Sequence, residues 1–501
     1  NQLSTLTIQP GAVVKINYDR GFSVNGKMVA NGTVDHPVYF TSIKDDAICG
    51  DTNGDATASV PNPGDWRWID FTEVSDPQTK MSYAVVRFGG RDHCGNYCDY
   101  WRAPIRMTKS VPQIEYITFE KNVRNAAAIV GGDWLSSELK STNIILLLES
   151  SLNVLQANTF IIPAGVKLKP EFDQGITVNG KLIARGTVDS PIVFTSVQDD
   201  SVCGIGAAGE PICDTNNNTT ASVPATGDWK WIDFTSVSDP GSEISRAIIR
   251  YGGRDHCGNY CDHWRAPVRM DNVTPILDFI TFEKNWRNAV GVVGNTWLTN
   301  ALHSTTVIHF LEGGLTVPQA NTFAFAADVK MKFAFDNGIY IDGALLIQGR
   351  ADEPVILTSD RDDEICGIGA NDELVCDTNN DMVASVPATG DWRWITFSSL
   401  SSQASLIDHA IFKYGGRDHC GNYCDHWRAV VRLESAAPTI TNSAFVNNWT
   451  GIDLIGGAQP TLTCNDFEGN ASPFGIYSDT PATAVVARDN WWGSVSGPTH
   501  A

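Results

Sequence analysis

The segment Gly89-Gly90-Arg91-Asp92-His93-Cys94-Gly95-Asn96-Tyr97-Cys98-Asp99 returns almost unchanged from Gly252 and again from Gly415, each time 163 residues further on. Gly-Asp-Trp at Gly64, Gly227 and Gly390 keeps the same interval, as does Asp-Thr-Asn at Asp51, Asp214 and Asp377. A chain repeating itself at a fixed spacing folds as a stack of similar units, because each unit covers the apolar face of the next. The expected division is residues 1–132, 133–294 and 295–457 as three copies, with divergent coils over 458–501.

Within a copy, short runs rich in Val, Ile, Phe, Trp and Thr alternate with Gly, Asn, Asp and Pro clusters, as at Val13 to Asn17, Val38 to Thr41, Trp66 to Thr72 and Ala84 to Phe88. Such runs read as strands of four to seven residues, and helical periodicity is scarce. Propeller blades repeat at about 40 to 50 residues, whereas this interval holds roughly six coils of 20 to 25 residues plus two loop insertions. The expected fold is therefore all-β: a right-handed parallel β-helix built from three tandem repeats. Apolar residues make up 42% of the chain, with 15 Trp and 21 Phe, which is ample for a stacked interior.

A net charge of -21 argues against nucleic acid or an anionic membrane as partner. No apolar stretch approaches the roughly 20 residues of a membrane helix. The first residues already read as strand, so a secretion signal is expected to have been removed or to lie outside this numbering. Ten of the 12 cysteines fall in close pairs: Cys94 with Cys98, Cys257 with Cys261, Cys420 with Cys424, Cys203 with Cys213, and Cys366 with Cys376. Paired cysteines without a redox motif point to disulfides and to an extracellular or cell-surface location.

Leu6-Thr7-Ile8-Gln9-Pro10-Gly11, the segment from Gly21 to Ser42, and Asp489-Asn490-Trp491-Trp492-Gly493 with Ser496-Gly497-Pro498 resemble bacterial secreted right-handed β-helix proteins of the pectate-lyase-like superfamily. The likeness extends over nearly the whole chain. It implies the fold; the superfamily's functions range over polysaccharide lyases, hydrolases, adhesins and structural surface proteins.

Each copy carries an acidic loop. The first has Asp45, Asp46, Asp51, Asn53 and Asp55, the second Asp199, Asp200, Asp214, Asn216 and Asn218, and the third Asp362, Asp363, Asp377, Asn379 and Asp381. Oxygens at alternating positions of a tight loop suit Ca²⁺, a hard cation that takes six to eight of them. The EF-hand pattern itself is absent, and Asp and Asn also cap their own backbone in turns that hold no metal. The second loop, with Asn218 in third place, is the weakest.

The His-Cys-Gly-Asn-Tyr-Cys-Asp loop admits a disulfide or a Cys₂His₂ zinc site, but Tyr100 stands where later copies have His263 and His426, which favours the disulfide. Arg91, Asp92, His93 and Arg102, with Arg254, Asp255, His256 and Arg265 and with Arg417, Asp418, His419 and Arg428, form a ligand-binding patch, an acid/base set or Arg-Asp pairs that order the loop. No catalytic residue is assigned. Trp66 and Trp68, Trp229 and Trp231, and Trp392 and Trp394 are two apart on expected strands, so both members of a pair should face one side, as core or as a sugar-stacking platform. The first copy lacks the nine residues matching Ile205 through Cys213, which leaves Cys49 without a partner; Cys464 is also alone. Both are expected as free thiols or as intersubunit links. No glycosylation is claimed for the sequons at Asn31, Asn218, Asn272, Asn448 and Asn470.

The expected function is a rigid calcium- and disulfide-stabilised surface rod, a filament subunit or adhesin stalk, whose partner is itself in a head-to-tail polymer or a surface glycan. The alternatives are a carbohydrate-binding adhesin module and a calcium-dependent polysaccharide lyase or hydrolase.

Overall fold

The computed structural model describes residues 3–92, 102–219, 222–255, 265–382, 384–418, 428–472, 474–480 and 484–497. Three of the expected disulfides lie outside the described residues: Cys94 with Cys98, Cys257 with Cys261, and Cys420 with Cys424. So do His93, His256 and His419 of the expected ligand-binding patches. Among the described residues, every regular element is a strand, and no helix is long and apolar enough to cross a membrane. The sheets are long and almost wholly parallel, compatible with the coiling expected from the repeats.

The chain divides into two compact units, Asn1–Asp233 with Val237–Arg254, and Phe234–Ser236 with Asp255–Ala501. In the first unit, Ala127–Val130, Ile145–Leu148, Lys167–Pro170 and Ile192–Phe194 are neighbours in one sheet. Their partners Ala127, Leu146, Leu168 and Phe194 are spaced by 19, 22 and 26 residues. Parallel pairing at that spacing stacks residues of similar position in successive segments, so apolar side chains meet apolar ones. Alternation does the rest: in Lys27–Asn31 the inward Met28 and Ala30 are fully buried between less buried neighbours.

In the second unit, Phe412, Phe445 and Phe467 pair in register with rings 5.0 and 4.9 Å apart and nearly parallel, and Trp492 continues the stack at 5.2 Å. Asparagines brace the adjoining turns. Asn465 donates to the carbonyl of Ile440, and Asn490 donates to that of Leu462, each replacing a main-chain partner lost at the bend.

The eight-residue strands Lys80–Arg87 and Gln113–Glu120 change direction part-way. Ser82 pairs Glu115 and Ala84 pairs Ile117, while Tyr83 and Tyr116 between them take φ of 49° and 53°. That conformation is unfavourable for a bulky residue. The two rings stack face to face at 4.8 Å, an attraction that offsets part of the cost.

The expected strand from Trp66 to Thr72 is shorter in the structure, Ile69–Phe71. Trp66 sits in the bend before it, so strand alternation does not reach back that far. The paired tryptophans therefore separate. Trp66, Trp229 and Trp392 are buried in the core, and Trp68, Trp231 and Trp394 are only half-buried. The indole N–H of each core tryptophan donates to a carbonyl, of Arg87, Arg250 and Lys413 respectively.

Candidate metal centres

The acidic loops gather some of their expected ligands and divert others. Asp46, Asp51 and Asp55 bring carboxylate oxygens within 4.8 Å of one another, and Asp363, Asp377 and Asp381 do the same. Asp45, Asp199 and Asp362 are engaged elsewhere. Each is buried and accepts a hydrogen bond at 2.6 Å from a threonine four residues earlier, Thr41, Thr195 or Thr358. Each also faces a cation: Arg87 at 3.4 Å, Arg250 at 3.5 Å and Lys413 at 3.0 Å.

Turn geometry prepares the clustered oxygens. In the first loop Asp51 accepts the main-chain N–H of Ala56 at 2.8 Å and of Gly54 at 2.7 Å, and these bonds hold its carboxyl below the usual range. Asn53 donates its amide to Asp55 at 2.9 Å and to Ser59 at 3.0 Å, which fixes which end of the amide is oxygen. The Oδ1 atoms of Asp46, Asn53 and Asp55 are then buried without a hydrogen-bond partner among the described residues. In the second loop Asn216 and Asn218 both donate to Ser222, and the Oδ1 atoms of Asp200, Asn216 and Asn218 are likewise unpartnered. In the third loop Asn379 donates to Asp381 and Ser385, each at 2.9 Å, and the Oδ1 atoms of Asp363 and Asp381 remain. A buried acceptor with no partner costs about 1–3 kcal/mol, and a hard cation is the partner that several converging oxygens share best.

A lysine that the sequence reading passed over belongs to each loop. Lys15 Nζ donates to the carbonyl of Gly50 at 2.6 Å, Lys169 Nζ to that of Asp199 at 2.7 Å and to Thr215 at 2.8 Å, and Lys332 Nζ to that of Cys376 at 2.9 Å. Burial pushes Lys169 and Lys332 down to about 8 against the pull of the neighbouring aspartates. Burial likewise pushes Asp363 up to about 6, with Lys332 opposing and Asp377 and Asp381 adding to the rise. In the first and third loops, three clustered carboxylates against one ammonium leave two negative charges, the complement of a divalent cation. The second loop, with Asp200 and Asp214 against Lys169, leaves one.

The second and third loops are also fastened to turns earlier in the chain, after strands Gln113–Glu120 and Ile276–Glu283. The Asn125 side chain donates to the carbonyl of Asp214 at 3.0 Å, and its main-chain N–H donates to the carbonyl of Thr215 at 2.7 Å. Asn288 repeats both contacts, with Asp377 at 2.9 Å and Thr378 at 2.8 Å. Beside each loop a two-stranded antiparallel ribbon, Gly204–Ile205 with Pro211–Ile212 or Gly367–Ile368 with Leu374–Val375, is closed by a disulfide, Cys203–Cys213 or Cys366–Cys376. Of the five expected pairings these two fall among the described residues; those of Cys98, Cys261 and Cys424 with their neighbours fall outside them. The ribbons reach the strands that precede those turns: Thr118 bonds Glu210 and accepts the N–H of Ala207 at 2.9 Å, and Thr281 bonds Glu373 and accepts that of Ala370 at 2.9 Å. The first copy lacks the matching nine residues, and its Cys49 is an exposed free thiol, as is Cys464.

No family model, curated protein or solved structure matches this chain.

The arginines of the third expected site are held by the scaffold. Arg91, Arg254 and Arg417 pair with Asp19, Asp173 and Asp336 at 3.1, 3.0 and 3.1 Å. Each also lies over a ring, that of Tyr18, Phe172 or Phe335, at 4.4, 4.2 and 3.9 Å. Asp255 and Asp418 face Arg265 and Arg428 at 3.2 and 3.3 Å. The preceding glycine explains the approach: Gly90 and Gly416 have φ of +87° and +88°, and a Cβ there would lie 2.0 and 2.1 Å from the carbonyl oxygens of Arg102 and Arg428.

Proposed function

We propose that this chain is an extracellular structural scaffold, wound as a right-handed parallel β-helix of three tandem copies, in which Ca²⁺ and disulfides fasten successive coils. The superfamily resemblance of the sequence enters as part of the same proposal. The observation that carries it is the set of buried, unpartnered oxygens of Asp46, Asn53 and Asp55 and of their counterparts, in loops where the second and third are tied by Asn125 and Asn288 to turns earlier in the chain. In the first and third loops two surplus negative charges beside such oxygens favour a divalent ion, and an ion at a loop stiffens the segment to which that loop is tied.

The test is thermal unfolding with calorimetric titration of metal-stripped protein. Calcium should raise the melting temperature and bind at more than one site per chain, and magnesium should do neither at equal concentration, because it keeps its octahedral water shell. An unfolding curve that calcium leaves unchanged would remove the metal from the proposal.

A further inference from the structure

We infer that the third copy carries a binding groove for a neutral saccharide, at a place where the other two copies lack the tyrosine and the threonine that line it. The inference does not rest on the scaffold reading or on calcium.

In the second unit the parallel strands Ile339–Ile341, Ile395–Phe397 and Ala429–Glu434 place Tyr340 beside Thr396 and Thr396 beside Arg432 in one outward row. Adjacent members of such a row are about 4.8 Å apart. The row lines a groove of about 570 Å³, within the ~300–1,000 Å³ typical of small-molecule sites. Trp394 forms part of the wall, with the Arg432 guanidinium over its ring at 4.7 Å.

Two residues of this groove differ from their counterparts in both earlier copies. Tyr340, 40% exposed, stands where the earlier copies have Ser23 and Thr177. Thr396 stands where they have Asp70 and Asp233, and it is 1% exposed with a hydroxyl that has no hydrogen-bond partner among the described residues. In the first copy that position is satisfied internally, since Asp70 accepts the Thr108 hydroxyl at 2.7 Å. A buried hydroxyl facing a groove without a partner points to a hydrogen-bonding occupant.

The chemistry of the walls selects the class. Arg393 is bound by both oxygens of Asp336 at 2.8 and 2.9 Å, and Arg432 donates to Glu434 at 3.1 Å. Asp336 is shared with Arg417 at 3.1 Å, and Arg432 feels Asp453 as well as Glu434, so three guanidinium groups face three carboxylates and the groove offers no surplus charge to an anion. What it offers is an exposed aromatic face, a buried hydroxyl, the Asn337 amide at the rim, and carboxylate lone pairs held in place by arginines. Alternating donors and acceptors around an apolar face fit a polyhydroxylated ring, whose C–H face covers Tyr340 while its hydroxyls reach Thr396 and Asp336.

The experiment is calorimetric titration of the full chain with cellotetraose, chitotetraose, maltotetraose and tetragalacturonate. At least one neutral tetramer should bind, and Tyr340→Thr and Thr396→Asp should each weaken it by about tenfold or more. Tyr340→Thr installs the residue that the second copy holds and Thr396→Asp the one that both earlier copies hold, and an unchanged circular dichroism spectrum and urea midpoint would verify that each variant folds. Ser23→Ala should leave binding unchanged. Binding that survives Tyr340→Thr would overturn the location, binding of tetragalacturonate alone would overturn the neutral class, and no binding of any tetramer at millimolar concentration would overturn the inference.

Discussion

Asn288 donates its side-chain amide to the main-chain carbonyl of Asp377, 2.9 Å away in space and 89 residues onward in the chain. That bond ties the turn presenting the third acidic loop to the turn that follows strand Ile276–Glu283. Removing it by Asn288→Ala should cost about 1–2 kcal/mol in chemical unfolding and weaken calcium binding at that loop. Asn125→Ala should do the same for the second loop. Equal calcium affinity in wild type and Asn288→Ala would show that the loop and the Asn288 turn are uncoupled.

The second loop is one carboxylate short, and Asn218 occupies the place held by Asp55 and Asp381. Asn218→Asp should raise calcium affinity there by about tenfold, or ~1.4 kcal/mol, and Asp381→Asn should lower it at the third loop by a similar amount. Luminescence from bound terbium, titrated against calcium, reads both changes.

Burial pushes Glu312 up to about 7, against Arg287 and Arg269. A carboxyl whose folded value lies above its unfolded one, ordinarily near 4.5, binds a proton more tightly in the folded state. Its contribution is therefore greatest below about pH 4.5, falls as pH rises toward 7 and is flat above. Glu312→Gln keeps an acceptor for the N–H of Arg265, now 2.7 Å from the carboxylate, and removes this dependence. The variant should gain stability relative to wild type between about pH 5 and 7.5, measured by urea unfolding across that range. A constant difference would place the titration elsewhere.

Opening the ribbon disulfide by Cys366→Ser with Cys376→Ser frees a loop with a sequence separation of 10 residues. The chain-entropy relation puts the loss at about 2–3 kcal/mol. The Thr281–Glu373 contact sits on the same ribbon, so proteolysis within residues 367–375 should accelerate in the double variant and mass spectrometry should locate the cut.

Much of the fold is legible in the sequence because apolar alternation and turn residues act locally. The run from Val38 falls inside an observed strand, those from Val13 and Ala84 overrun theirs by one residue, and the ribbon cysteines pair as expected. The tryptophan pairs mislead because Trp66 lies in a bend and the strand begins only at Ile69, so Trp66 and Trp68 share no strand alternation. Lys169 is invisible to pattern reading: a lysine within a strand normally marks the solvent face, and only the loop folding over it shows that its ammonium is the loop's internal counterion. The Asp45, Asp199 and Asp362 positions read as ligands by proximity in sequence, yet a threonine four residues back captures each. The Tyr340–Thr396–Arg432 row is assembled by register across segments far apart in the chain, so no local motif announces it.

The ribbon and its seat share the 163-residue spacing: Thr118 and Thr281 receive Glu210 and Glu373, and Asn125 and Asn288 receive the loops that follow. Excising one whole spacing would bring Glu373 and Asp377 onto Thr118 and Asn125, with the same pair of side chains meeting the same pair of turns. Chain length is thus adjustable in whole steps by recombination between copies, and a step of any other size would leave a ribbon with nothing to hold.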